Sequence, residues 1–135
     1  MILGFDPGRD KCGVAVADNK VTVHFHQVIE SADAIAKIKQ LTQQYPVNLI
    51  VMGNLTTAKT WYEKLVSNFE SIPIIMVDEN NSSLEARDRY WQIYPAKGLQ
   101  KLIPQTMRIP PCPIDDIVAI LLIERYVQNY SHSEN

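Results

Sequence analysis

The chain has few cysteines, no long apolar run and no excess of positive charge. Its two cysteines, Cys12 and Cys112, form no Cys-x-x-Cys pair, so we expect free thiols rather than a disulfide or a zinc site. No apolar stretch approaches the roughly 20 residues that a membrane-spanning helix needs, which argues against a membrane protein. Met1 leads directly into an apolar stretch, so we expect no signal peptide and a cytoplasmic location.

The net charge of −2 is unusual for a protein that binds long nucleic acids. Such proteins gain much of their affinity by neutralising phosphates with a basic surface. A near-neutral chain needs its cations gathered on one face, or metal ions bound to its acids. The charge therefore counts mildly against tight nonspecific binding.

The remaining composition is that of an ordinary globular protein. The 135 residues are 46% hydrophobic and 21% charged, and a chain of this length can bury a core without disulfides or metal. We expect a single domain over residues 1–130. The polar residues 131–135 are expected to form a disordered tail.

The N-terminal stretch predicts a β-hairpin with a carboxylate at its mouth. An apolar strand ends at Asp6, Pro7 and Gly8 favour a tight turn, and small apolar residues return from Cys12 to Ala17. The Asp6 carboxylate would emerge at a strand end, where it could bind a metal ion or a hydroxyl. Alternatively, Asp6 simply hydrogen-bonds the turn.

Two later stretches also place acids where an apolar run meets a helix. Asp78 and Glu79 follow a predicted strand over 72–77, and Asp115 and Asp116 open the last helix. The helix dipole favours anions at that position, which is a sufficient structural reason for both aspartates. Asp115 lies on the stripe of the helix that faces the sheet.

The remaining pattern predicts alternating strands and helices. Ser31 is expected to cap a helix that runs to Gln44, and Ser82 with Glu85 fits a capping box. Other elements are a strand over 20–29, a buried strand over 47–52 and a helix containing Trp61, Leu65 and Phe69.

With acids at these three positions, the chain resembles the YqgF/RuvX family of RNase H-like nucleases, relatives of the RuvC junction resolvases. The resemblance extends from Ile2 to about Val127. It implies an α/β, RNase H-like fold: a five-stranded mixed sheet, with three antiparallel strands followed by parallel strands and with helices on both faces. It selects Asp6, Glu79 and Asp115 as catalytic and metal-binding residues, with Asp116 as the alternative third acid.

The resemblance implies hydrolysis of phosphodiester bonds in structured nucleic acid with Mg²⁺ or Mn²⁺. The implied substrate is the 5′ end of precursor 16S rRNA or a branched DNA junction, and a homodimer is left open. Family members commonly have a basic residue where this chain has Asn80. That difference and the low net charge favour the alternative of a catalytically silent RNA- or protein-binding module. A nucleotide-binding protein of the actin/hexokinase type is a further alternative, but it needs two such domains.

Polar and basic residues in two later stretches are candidates for substrate contact. Thr57 and Lys59 could hold a phosphate at a helix N-terminus, or Thr57 could be a plain N-cap. The segment 86–110 is basic and contains several aromatics, which fits either a nucleic-acid surface or solvated charges over a core. The residues expected to contact substrate are Arg9, Lys11, Asn54, Thr57, Lys59, Arg87, Lys97, Lys101 and Arg108.

Overall fold

The structure is a computed structural model that describes residues 1–55, 57–80, 82–105, 110 and 112–133. Short 3-10 helices cover Ser31–Asp33 and Gly98–Leu102. The strands are β1 (Ile2–Asp6), β2 (Lys11–Ala17), β3 (Val23–Glu30), β4 (Leu49–Gly53) and β5 (Ile74–Val77), and the helices are α1 (Ala34–Gln44), α2 (Ala58–Asn68), α3 (Ser82–Ile93) and α4 (Asp115–Ser133).

The five strands form one mixed sheet in the order β3-β2-β1-β4-β5. Strands β1 to β3 are antiparallel neighbours, whereas β4 runs parallel to β1 and β5 runs parallel to β4. Tight connections suffice for the antiparallel strands, and the helices α1 and α2 supply the longer crossovers that parallel strands require. The predicted five-stranded mixed sheet is therefore confirmed.

The alternation of side chains along β1 divides the interior into two layers. Leu3 and Phe5 face α1 and α2, where the Phe5 ring meets the Trp61 ring edge-on at 5.2 Å between centroids. Ile2 faces the opposite way, into a second core with α4. Because successive side chains of a strand alternate between faces, Asp6 is placed on the α4 side of the sheet.

Helix α3 forms an outer layer against α4. Tyr90 and Trp91 are buried there against Ile117 and Leu121. None of the helices in the described ranges is long and apolar enough to cross a membrane. Helices α1 and α2 pack on one face of the sheet, and α4 with α3 outside it packs on the other. Helices on both faces are as expected.

Two predicted element starts are wrong because side chains bind nearby backbone groups. The strand expected from Lys20 begins only at Val23, since Asp18 Oδ1 accepts the amides of Lys20 (2.9 Å) and Thr22 (3.0 Å) and holds a turn. Ser31 is not the cap of α1. Its hydroxyl instead donates to the carbonyl of Gly8 at 3.0 Å, and the helix starts after a 3-10 turn.

The C-terminal boundary also differs from the expected one. Helix α4 continues to Ser133, three residues beyond the predicted domain end at residue 130. Residues 134 and 135 of the predicted tail lie outside the described ranges.

Candidate active site

Asp6 ends β1 at the edge of the sheet where β4 and β5 also end. Its antiparallel partner is Gly13, and the preceding residue Phe5 pairs with Met52 of β4. Gly53 in turn pairs with Val77, the last residue of β5. Carboxyl ends of parallel strands therefore gather here, which is where open α/β sheets usually bind ligands.

Glu79 reaches this edge from the loop after β5. It is only 4% exposed, which is unusual for a charged side chain. Gly53 of the neighbouring strand β4 leaves the space that the Glu79 carboxyl group occupies, because a Cβ at Gly53 would overlap that group. The glycine therefore leaves room for an acid that comes from another element.

Asp115 is the first residue of α4 and approaches the sheet from above β2. A Cβ at Gly13 would overlap the backbone carbonyl of Asp115. Since Gly13 also pairs with Asp6, the missing side chain lets the start of the helix come down beside the end of β1.

These placements bring the three predicted acids together. The Asp6 carboxyl group is hydrogen-bonded to the side chains of both Glu79 and Asp115. Burial is the largest cause that raises the pKa of Asp6, followed by the hydrogen bond and charge of Glu79 and then by Asp115, and together they bring the pKa to about 10. The cluster therefore holds a proton on Asp6 at neutral pH.

The donor types suit a hard divalent cation, since Mg²⁺ and Mn²⁺ prefer carboxylate oxygens. Among the described residues, however, no three Asp, Glu, His or Cys side chains are arranged as a complete set of metal ligands. The carboxyl groups of the cluster face one another through hydrogen bonds instead. The acids thus fit a cation in chemistry and location, but their arrangement is that of a proton-sharing cluster.

Comparisons with known proteins identify the family of the chain. The RuvX family model, described as Holliday junction resolvase, matches residues 1–129. The chain belongs to the RuvX family. A relative from Coxiella burnetii, named as a candidate pre-16S rRNA nuclease, is 28% identical over 141 residues, which cover 93% of this chain and 91% of the relative.

Two solved structures share the fold at 10% identity. Fowlpox virus resolvase in complex with Holliday junction DNA has a TM-score of 0.61, over 96% of this chain and 97% of its own. RuvC from Thermus thermophilus has a TM-score of 0.55, over 99% and 96%. The predicted RNase H-like fold and RuvX nuclease family are confirmed.

The nearby acidic residues that the RuvX resemblance did not select have partners outside the cluster. Asp78 Oδ1 accepts the amide of Asn80 at 3.0 Å, so it stabilises the loop. Asp116 Oδ2 lies 2.7 Å from His26 Nδ1 on β3, away from the cluster. Glu85 does not form the predicted capping box: it pairs with Arg125, and the amide of Ser82 donates to the Glu79 carbonyl.

Two predicted substrate residues line a common cavity. Arg9 and Thr57 border a space of about 310 Å³, together with Thr60, Trp61 and Lys64. Lys64 Nζ lies 4.6 Å above the Trp61 ring. Sequence reasoning missed Thr60 and Lys64, although their spacing of three and seven residues from Thr57 places all three on one face of α2.

The other predicted contacts are scattered. Lys11 lines a separate cavity of about 350 Å³ with Lys37, on the β3 side. Asn54 accepts the Glu79 amide through Oδ1 at 3.3 Å and so supports the loop. Lys59, Arg87, Lys97 and Lys101 are exposed, while Arg108 lies outside the described residues.

The structure decides between the two interpretations of the aromatic residues in the basic segment. Tyr90 is 7% and Trp91 is 6% exposed, and both pack in the core between α3 and α4. They are therefore not a platform for stacking unpaired bases. Tyr94, at 49% exposure, is accessible to a ligand.

Proposed function

We propose that this chain is an endonuclease that hydrolyses phosphodiester bonds in structured nucleic acid with Mg²⁺ or Mn²⁺. The observation that carries the proposal is the convergence of Asp6, Glu79 and Asp115 at the carboxyl edge of a RuvX-family sheet. Three carboxyl groups, one buried and two half-buried, cost stability when they are brought together without a cation. Their convergence is therefore best explained by the chemistry that they serve.

The three acids would hold the cation, and each has a defined role in the cluster. Asp6 lies between the other two, and a bound cation would favour the ionised form of its carboxyl group. Glu79 and Asp115 are held close by the glycines beneath them. When bound, divalent cations supply the Lewis acidity that activates water and stabilises the leaving oxygen.

The cavity lined by Arg9 is the proposed contact for the substrate backbone. Arg9 follows Asp6 by three residues in the sequence, and Lys64 adds a second cation to the cavity with the hydroxyls of Thr57 and Thr60. Phosphates are bound by such groups through charge and hydrogen bonds. With a net charge of −2, the chain would rely on local cations such as Arg9 and Lys64 to hold the substrate backbone.

The proposed substrate is the 5′ end of precursor 16S rRNA or a branched DNA junction. The name of the Coxiella burnetii relative supports the first, and the junction DNA bound to fowlpox virus resolvase supports the second. A symmetric junction presents two equivalent strands, so cleaving it calls for a homodimer, whereas trimming an RNA end needs one subunit.

The test is cleavage of labelled precursor 16S rRNA ends, single-stranded RNA and four-way DNA junctions, each with Mg²⁺, Mn²⁺ or chelator. We expect Asp6→Asn to abolish cleavage, while Asp10→Asn, which changes an exposed carboxylate in the same turn, retains it. The preferred substrate then identifies the reaction. A folded wild type that binds these nucleic acids but cleaves none would refute the nuclease and establish the binding module.

A further inference from the structure

The loop that carries Glu79 is held by an arginine from α4. Arg125 Nη1 donates to the carbonyl of Asp78 at 2.6 Å, and Nη2 donates to the carbonyl of Asn80 at 2.8 Å. The two carbonyls belong to the residues on either side of Glu79. A single guanidinium therefore bridges the backbone around this acid.

The backbone amide and carbonyl of Glu79 itself also have hydrogen-bond partners. Its amide donates to Asn54 Oδ1 at 3.3 Å, and its carbonyl accepts the amide of Ser82 at 2.9 Å. Peptide groups before, at and after Glu79 thus have fixed partners. Since the backbone restricts the rotamers of a side chain, these bonds limit where the carboxyl group can lie.

The two carbonyl contacts matter more than the ion pair that Arg125 also makes. Arg125 Nη2 lies 3.0 Å from Glu85 Oε1, but Glu85 is 52% exposed, and exposed ion pairs contribute little. Arg125 itself is 19% exposed. Hydrogen bonds from a largely shielded guanidinium to carbonyls are charge-assisted and directional, and a guanidinium can reach two acceptors at once.

Helix α4 therefore connects two of the acids. It begins with Asp115 and carries Arg125 ten residues later, about 15 Å along the helix axis. The same rigid element supplies one acid directly and holds the loop of another.

We propose that Arg125 is a positioning residue that fixes Glu79 relative to Asp6 and Asp115. This inference rests on the proposed nuclease function for its effect on catalysis. Its effect on the loop follows from the contacts alone and can be measured without activity.

The experiment compares Arg125→Gln and Arg125→Lys with two matched controls. Glu85→Gln removes the ion pair and keeps the carbonyl contacts. Arg89→Gln removes an arginine of α3 that binds Glu124 of α4 at 2.8 and 3.0 Å and has no hydrogen bond to the described residues of the loop. The readouts are kcat and KM for cleavage, and amide hydrogen exchange in a peptide containing Glu79.

We expect Arg125→Gln to lower kcat roughly tenfold or more with KM little changed, because a displaced catalytic group affects the reaction more than binding. Exchange at Glu79 should become faster. Arg125→Lys, which retains one donor group, should recover part of both effects, whereas the two controls should match wild type.

Several results would overturn the proposal. Exchange at Glu79 that is equally fast in Arg125→Gln and Arg89→Gln would show that Arg125 only joins helices. Fast exchange with unchanged kcat would refute the positioning role. If Arg125→Gln does not fold, the same comparison is made with Arg125→Lys, and a wild-type kcat and exchange rate there refute the proposal. A wild type without cleavage refutes the nuclease, and the positioning of Glu79 is then decided by exchange.

Discussion

Replacing Asp6 by asparagine should stabilise the folded protein while it abolishes the proposed activity. The pKa of Asp6 rises from the ordinary 3.8 to about 10 in the folded chain, first because of burial and then because of Glu79 and Asp115. In the unfolded chain, Asp6 ionises with its ordinary pKa. Between these two values folding must therefore take up a proton.

The sign and size of the effect follow from that proton. From about pH 4 to about pH 10 the folded state binds one proton more than the unfolded state, so the free energy of unfolding falls as pH rises. The slope is about 1.4 kcal/mol per pH unit, which amounts to about 4 kcal/mol by pH 7. An asparagine side chain cannot ionise, so Asp6→Asn should lose this slope and be the more stable protein at neutral pH.

The assay is urea unfolding in chelator, at half-unit steps from pH 5 to pH 9, for wild type, Asp6→Asn and Asp10→Asn. The gap between wild type and Asp6→Asn should widen with pH, whereas Asp10→Asn, with its exposed side chain, should run parallel to wild type. Adding Mn²⁺ at pH 8 should stabilise wild type more than Asp6→Asn. A gap that does not change with pH would refute the idea that the cluster holds a proton.

Four further substitutions test the choice of acids and the packing around the site. Gly53→Ala should push the Glu79 carboxyl group aside and lower the cleavage rate roughly 100-fold. It should cost at most about 1 kcal/mol of unfolding free energy, because the group that moves is the end of a flexible side chain. A wild-type cleavage rate would contradict this prediction. Asp116→Asn should retain cleavage that Asp115→Asn abolishes in single-turnover assays, and equal losses would reverse the choice of third acid. Leu65→Ala opens a fully buried site under α2 and should cost about 2–5 kcal/mol in urea unfolding without displacing the acids.

Local patterns predicted the elements and the acids at their ends, whereas the resemblance to the RuvX family selected Asp6, Glu79 and Asp115 among those acids. Apolar runs that end in Asp6 or before Glu79 identify strands and their ends. Asp115 opens α4, and its stripe on the helix was sufficient to predict that it faces the sheet. The mixed sheet, with three antiparallel strands followed by parallel strands, came from the family resemblance, since periodicity does not specify which strands pair.

The predictions that failed, and the contact that was missed, depend on distant or competing partners. Ser31 has the residue type of a helix cap, but the carbonyl of Gly8 from another turn accepts its hydroxyl. Glu85 has the spacing of a capping box, but its carboxylate accepts a hydrogen bond from Arg125 of α4 instead. Arg125 is 46 residues from Glu79 in a mainly apolar helix, so no spacing rule connects them.

The space for the acids is encoded in strands that do not carry them. Gly53 lies under Glu79 and Gly13 under the backbone of Asp115, and each glycine belongs to a strand that contributes no acid to the cluster. At Gly53 a methyl group would meet the flexible end of Glu79, whereas at Gly13 it would meet the backbone of Asp115 and push the start of α4 away. Glycine at both positions therefore lets Glu79 and Asp115 approach Asp6. The two glycines belong to the candidate site for this reason, although neither carries a chemical group.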